Sequence, residues 1–323
     1  MRAIYLLLAI SVTVSPSAFG QDNVIRVSPD EAAAHLLRAA SAVNSPMASM
    51  GGIQGNVILH ILIDSSGATS FLRLARGHPL LVQPAIDTVK KWKYQPFEVG
   101  GRPSTVVTLA VVRFGNPVNH DAEDQAEVQW QHRFWLAQEA AESALGHSDF
   151  ANAALQLRSA VDLLAPSNGP LHPLERWTFL MTRGQLYNVQ QKYEEAEQSY
   201  KEAFGLHYGG NDGPEAAATL SELAKISLKK KLFDVAREQM ENSVSIFQKN
   251  FKRLRGDDSH ARTLYGRGVA DQSWMLARLA LERRDSKDAA KRCRAVLDFA
   301  QYLDPPEHDE AMVTCGRQTE TLK

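Results

Sequence analysis

The feature that most constrains this chain is a change of period. From Gly55 to Ile63 the apolar residues Val57, Leu59, Ile61 and Ile63 fall on one face, with Asn56, Ile58, His60 and Leu62 on the other. That two-residue alternation belongs to a strand. Beyond Trp130 no such run returns, and small and aromatic residues recur at helical spacing instead. Two periods in separate blocks imply two cores of different construction. A chain of 323 residues has room for both at about 100–200 residues per domain. The expected fold is an α+β domain followed by an all-α one.

Within the first block, Ser28-Pro29-Asp30-Glu31 offers a helix cap, a proline at the first helical position and an acid three residues after the cap. Ala32, His35, Leu36, Ala39 and Ala40 follow at helical spacing until Asn44-Ser45-Pro46 breaks the pattern. The strand from Gly55 meets turn residues at Asp64-Ser65-Ser66-Gly67, and Ala68 to Ala75 resumes an extended pattern. The pair reads as a β-hairpin. Leu80, Leu81, Ala85, Ile86, Val89, Lys90 and Trp92 return to helical spacing before Pro96. After Gly100-Gly101-Arg102-Pro103 turns the chain, Thr105 to Phe114 is dense in β-branched residues. The predicted order over residues 28–114 is helix, strand, strand, helix, strand.

These residues also carry a resemblance. Gly55-x-Val57 with its strand to Asp64, Gly67, Gly77-His78-Pro79-Leu80-Leu81, Pro84-Ala85-Ile86, Val89, Trp92-Lys93-Tyr94-Gln95-Pro96, Gly101-Arg102-Pro103 and Phe114 together resemble the TonB C-terminal domain over about residues 53–114. The chain departs from that pattern at Ser45-Pro46-Met47-Ala48, where a tyrosine-proline pair is common, and at Val82, where an aspartate is common. Energy-transducing members resemble an inner-membrane anchor, a long Pro-rich spacer and then this domain. With neither ahead of it here, the expectation is a binding module and not a motor-driven transducer. The resemblance implies a three-stranded antiparallel sheet with two helices on one face and the last strand at an edge. An exposed edge can be completed by an extended peptide, which nominates Thr105, Val107, Leu109 and Val111. The alternative is that this strand pairs internally, with the N-terminal segment or with a second copy in a homodimer.

Past a linker at residues 115–129, the second block repeats. Gly184, Tyr187, Tyr193, Ala196, Tyr200 and Ala203 form a frame that resembles a tetratricopeptide (TPR) repeat. The frame slides forward 40 residues (184 to 224) onto Ala224, Ser227, Phe233, Ala236, Met240 and Ser243. It slides back 43 (184 to 141) onto Ala141, Ala144, Phe150, Ala153, Leu157 and Ala160, and forward a further 53 (224 to 277) onto Ala277, Ala280, Ala289, Cys293 and Val296. The implied array covers about residues 130–300 within a helical domain of 130–323, with Leu254 to Arg267 as its largest insertion. Stacked repeats of this kind present a concave surface that binds protein segments. Gln185, Asn188, Lys225, Trp274 and Arg278 are its candidate lining, against the alternative that they are ordinary solvated positions. Cys293 and Cys315 are candidates for a disulfide, the alternative being one small buried helix residue and one surface thiol.

Residues 1–20 read as a signal peptide. Arg2 supplies a charge, Ile4 to Val14 is too short to span a bilayer, and Ala18-Phe19-Gly20 fits cleavage after Gly20. The expected location is periplasmic or secreted, with no transmembrane segment in the mature chain. A formal net charge of -1 supplies no field for nucleic acid. Phosphate-binding, nucleophile-elbow and zinc-helix motifs are all missing from the sequence. The expectation is a non-enzyme with no catalytic residue, cofactor or metal, whose partners are proteins or peptides of the cell envelope.

Overall fold

The computed structural model describes residues 25–115, 121–164, 173–206, 210–254 and 259–320. The signal peptide expected at residues 1–20 lies outside the described residues, as do residues 116–120 of the expected linker. The chain divides into two compact units, Met1–Leu163 and Leu164–Lys323.

The first unit runs β1 (Ile25–Arg26), α1 (Pro29–Ala34), β2 (Leu36–Arg38), α2 (Pro46–Met50), β3 (Gly55–Ile63), β4 (Thr69–Arg76), α3 (Pro79–Val89), β5 (Lys93–Tyr94), β6 (Phe97–Val99), β7 (Arg102–Ser104), β8 (Val106–Phe114), α4 (Asp121–Gly146) and α5 (Phe150–Leu164). Ser28 and Ser45 cap α1 and α2 with their hydroxyls, and each helix has proline at its start, where a missing N–H costs nothing. The helix predicted through Ala40 stops at Ala34. Tertiary pairing overrides its spacing: Leu36 lies opposite Tyr94, the Gln95 N–H donates to the His35 carbonyl at 2.8 Å, and the His35 ring stacks on Phe97.

The main sheet has the order β1-β8-β3-β4. β3 pairs antiparallel with both β8 and β4, and β1 adds a fourth strand, parallel to β8. That corrects the expected three-stranded, wholly antiparallel sheet. Val57, Leu59, Ile61 and Ile63 of β3 and Val106, Ala110, Val112 and Phe114 of β8 face a core closed by Ala32, Ala48, Leu81, Ala85, Val89 and Trp92. Gly67, at φ +76°, turns the β3–β4 hairpin where a Cβ would run into the Tyr94 carbonyl. The second face of the sheet is also covered, because Ile58 and Leu109 pack with Val128 of α4. α4 begins at Asp121, so residues 121–129, expected as linker, are helix, and α4 and α5 fall within the first unit.

The second unit is helical: α6 (Pro173–Val189), α7 (Tyr193–Gly205), α8 (Pro214–Lys229), α9 (Phe233–Arg253), α10 (Ser259–Glu282), α11 (Ser286–Phe299), a 3-10 turn at Ala300–Tyr302, and α12 (Pro305–Glu320). The hairpins α6/α7, α8/α9 and α10/α11 close with the same turn that closes α4/α5 in the first unit. Ser148, Gln191, Lys231 and Arg284 adopt φ of 60°, 61°, 60° and 57°. Each N–H donates to the carbonyl three residues back, and the next N–H to the carbonyl five back, the Schellman arrangement that ends a helix. The 53-residue spacing is absorbed by lengthening α9 and α10 to 21 and 24 residues. Small residues let the helices approach: Ala196, Ala224, Ala236, Ala277 and Ala289 are wholly buried, and a Cβ on Gly184 would strike the Tyr200 ring.

Candidate functional site

The candidate site in the first unit is the strip beside β8. Opposite β3, the register Ile63↔Val106 to Gly55↔Phe114 satisfies one side of β8 completely. On the other side β1 pairs only with Val106 and Val107, and the Val27 N–H donates to the Val107 carbonyl at 3.0 Å. Beyond Val107, no strand among the described residues pairs with that side of β8. The nominated last strand is therefore second in the sheet at its start. The side chains of Val107 and Leu109 are buried, and Leu109 and Val111 pack toward Val128 of α4; Thr105 is half-buried. Leu109 and Val111, packed toward α4, do not present their side chains to a ligand at the strand edge. What this strand offers an incoming strand is its backbone.

Between the second face of the sheet and α4 lies a buried polar network that the sequence reading did not assemble. His60 is wholly buried, its Nε2 3.3 Å from Gln131 Oε1 and its Nδ1 3.5 Å from both Arg26 Nη1 and Arg73 Nη2. Arg73 lies over the Trp135 ring, 3.3 Å from its centroid. The Trp135 indole N–H donates to Gln131 Oε1 at 3.1 Å, and Gln131 in turn donates to Glu127 at 3.0 Å. Asn56 of β3 donates to Asp124 of α4. Burial first, and then the Arg73 and Arg26 guanidiniums, hold the His60 pKa well below its ordinary value against the Gln131 hydrogen bond. His60 is thus neutral at pH 7, and its ring can accept from a guanidinium.

In the second unit Gln185, Asn188, Lys225 and Arg278 are half-buried on α6, α8 and α10. Trp274 is not on a surface: at 2% exposure it packs with Ala270, Ala277, Cys293, Val296, Leu303, Ala311 and Cys315. That corrects its place among the surface candidates, since the indole fills the space beside the disulfide. Cys293 and Cys315 are bonded, tying α11 to α12 with Cα atoms 4.8 Å apart. The Lys225 ammonium donates to Glu222 at 2.7 Å. Burial opposes its charge, but Glu222, Asp271 and Glu307 outweigh burial and raise its pKa. Asp271 pairs with Arg267 at 3.7 Å, while burial pushes its carboxyl up to about 6. One carboxylate oxygen of Asp271 is shut from solvent with no hydrogen-bond donor.

Among the described residues, no cluster of three His, Cys, Asp or Glu residues is placed to hold a metal ion, and no helix is long and apolar enough to cross a membrane. Residues 45–115 match the family of the Gram-negative bacterial TonB protein C-terminal. No curated protein matches the chain. Among solved structures, "Crystal structure of BtubC (BKLC) from P. vanneervenii" is similar at 16% identity and a TM-score of 0.50, covering 62% of this chain and 78% of that one. At that identity the likeness is one of fold alone. Its span exceeds what the sheet region can supply, so the shared fold includes helices.

Proposed function

We propose that this chain is a periplasmic adaptor in which the TonB C-terminal-like region takes an extended segment of an envelope protein as a strand beside β8, and a tetratricopeptide-like array holds a second protein. The observation that carries this reading is β1. A short segment of the chain already lies along β8 as an added parallel strand, and beyond Val107 that side of β8 has no strand partner among the described residues. Added strands are held by main-chain hydrogen bonds, with side-chain pockets conferring selectivity. For the array, the support is the turn repeated in every hairpin and the half-buried Gln185, Asn188, Lys225 and Arg278 on its first helices.

The test is capture of partners from envelope extract by the intact chain and by Val107→Pro. The Val107 carbonyl accepts from Val27, so its N–H points to the same side, and proline removes that donor. Loss of one partner set with retention of another supports the adaptor; equal recovery by both proteins defeats strand addition. Light scattering separates this reading from a homodimer joined along β8, which Val107→Pro would dissociate.

A further inference from the structure

The self-strand β1 shows what the strip beside β8 selects. Its segment divides by face: Ile25 and Val27 pack into the main core, while Arg26 turns to the opposite face, where its side chain is 2% exposed. There Nε donates to the two carboxylate oxygens of Glu139 at 3.1 and 3.0 Å and Nη2 donates at 2.6 Å, with Nη1 3.5 Å from Nδ1 of His60. Glu139 stands on α4, outside the residues that match the TonB family. A strand of two residues is far below the usual five or six, so backbone pairing gives it little hold. The forked guanidinium–carboxylate contact is the part that distinguishes one segment from another.

We propose that the strip beside β8 is a sequence-selective peptide site for an extended segment, running parallel to β8, that carries arginine between two aliphatic residues. Glu139 and His60 read the guanidinium, and β1 is the resting occupant. This rests on the strand-addition reading above and adds its selectivity. Lysine is a poorer fit, because an ammonium is a point charge without the fork that engages both carboxylate oxygens. A partner whose strand continues past Val107 gains pairing that β1 does not make, and β1 yields to it for that reason.

The test uses the full chain with Ile25→Ser, Arg26→Ser and Val27→Ser, which empties the strip, and a fluorescein-labelled peptide of residues 23–29, followed by anisotropy. The expected result is that citrulline in place of the arginine weakens binding at least about tenfold, as loss of a desolvated charge pair does. Adding Glu139→Gln to the protein should erase the difference between the two peptides. Equal binding of the arginine and citrulline peptides overturns the arginine selectivity. If a peptide N-methylated at the valine corresponding to Val27 then still fails to bind, strand addition survives; if it binds as well as the parent, strand addition falls too. Should the triple variant not fold, hydrogen exchange on the chain carrying only Glu139→Gln decides. The Val27 amide should exchange at least about tenfold faster than in the unaltered chain, and an unchanged rate overturns the proposal.

Discussion

The two units bury their polar groups in opposite ways. In the first, the decisive contacts join residues remote in sequence: Arg26 to Glu139, His60 to Gln131, Asn56 to Asp124, and the Trp92 indole N–H to the Ala40 carbonyl. In the second, the contacts are those of hairpins and their neighbours, such as Lys225 with Glu222 on one helix, Ser227 with Gln239 across a hairpin, and Ser221 with Ser243. A sheet closed by its own first and last segments is cooperative, and losing one segment is felt across it. A stack in which each hairpin touches its neighbours confines damage to where it occurs.

The comparison can be broken most forcefully at Tyr200, whose wholly buried ring fills the notch left by Gly184. Tyr200→Ala should cost about 3–5 kcal/mol in chemical denaturation. Hydrogen exchange should quicken in α6 to α8 while α11 and α12 change little; uniform loss across the helical unit would defeat the local picture. Replacing Cys293 and Cys315 by serine releases a bond spanning 22 residues and should cost about 3 kcal/mol on the loop-entropy account, read as a lower melting temperature with exchange raised in α11 and α12.

In the sheet unit, Glu139→Gln strands the Arg26 charge. A wholly buried pair broken in this way loses about 3–5 kcal/mol, and water at the 39% exposed Glu139 side chain softens that to about 2. The loss should register together in β1, β8 and α4, and confinement to α4 would contradict the cooperative picture.

Acid sharpens the contrast by sign. His60 is held below its ordinary value, so the unfolded chain takes up a proton first, and the sheet unit loses stability as pH falls through about 6.5. Asp271 is raised from 3.8 to about 6. The folded helical unit therefore keeps a proton that the unfolded chain has shed, and this contribution disappears as pH rises through about 6. Exchange in β3 and α10 measured from pH 7.5 to 5 should move in opposite directions, with His60→Gln and Asp271→Asn each flattening its own response. The smallest effect belongs to the shared turn. Lys231→Gly relieves a side chain held at φ 60° and should add about 0.5 kcal/mol after glycine's own entropic cost.

The helical unit was the more legible because its code is local. The frame through Gly184, Ala196 and Tyr200 set the spacing of every hairpin, and the turn residues Ser148, Gln191, Lys231 and Arg284 recur in that same frame, although none is the glycine that would have announced a left-handed turn. Trp274 was misplaced because periodicity gives the face a residue occupies and not the depth of what covers it. In the sheet unit, the three long strands and the family resemblance were readable from residues 53–114, but the short strands β5, β6 and β7 and the neighbours of β8 were not. A two-residue strand at Ile25–Arg26 has too little pattern to see. The covering of the second face had a signal that went unused. Ile58 and Leu62 make both faces of β3 apolar, as in a strand buried on both sides, and a helix had to be found for the face bearing His60. α4 alternates charged and apolar residues too irregularly to declare which sheet it would meet, because it docks through the polar side chains of Asp124, Gln131 and Glu139.

The bond between Cys293 and Cys315 also sets how the helical unit can open at that end. A row of hairpins opens like a zip, starting from whichever end is loose. With α11 and α12 sewn together by the bond, the last two teeth at that end can part from the row only as a pair. A reducing agent would let α12 part alone.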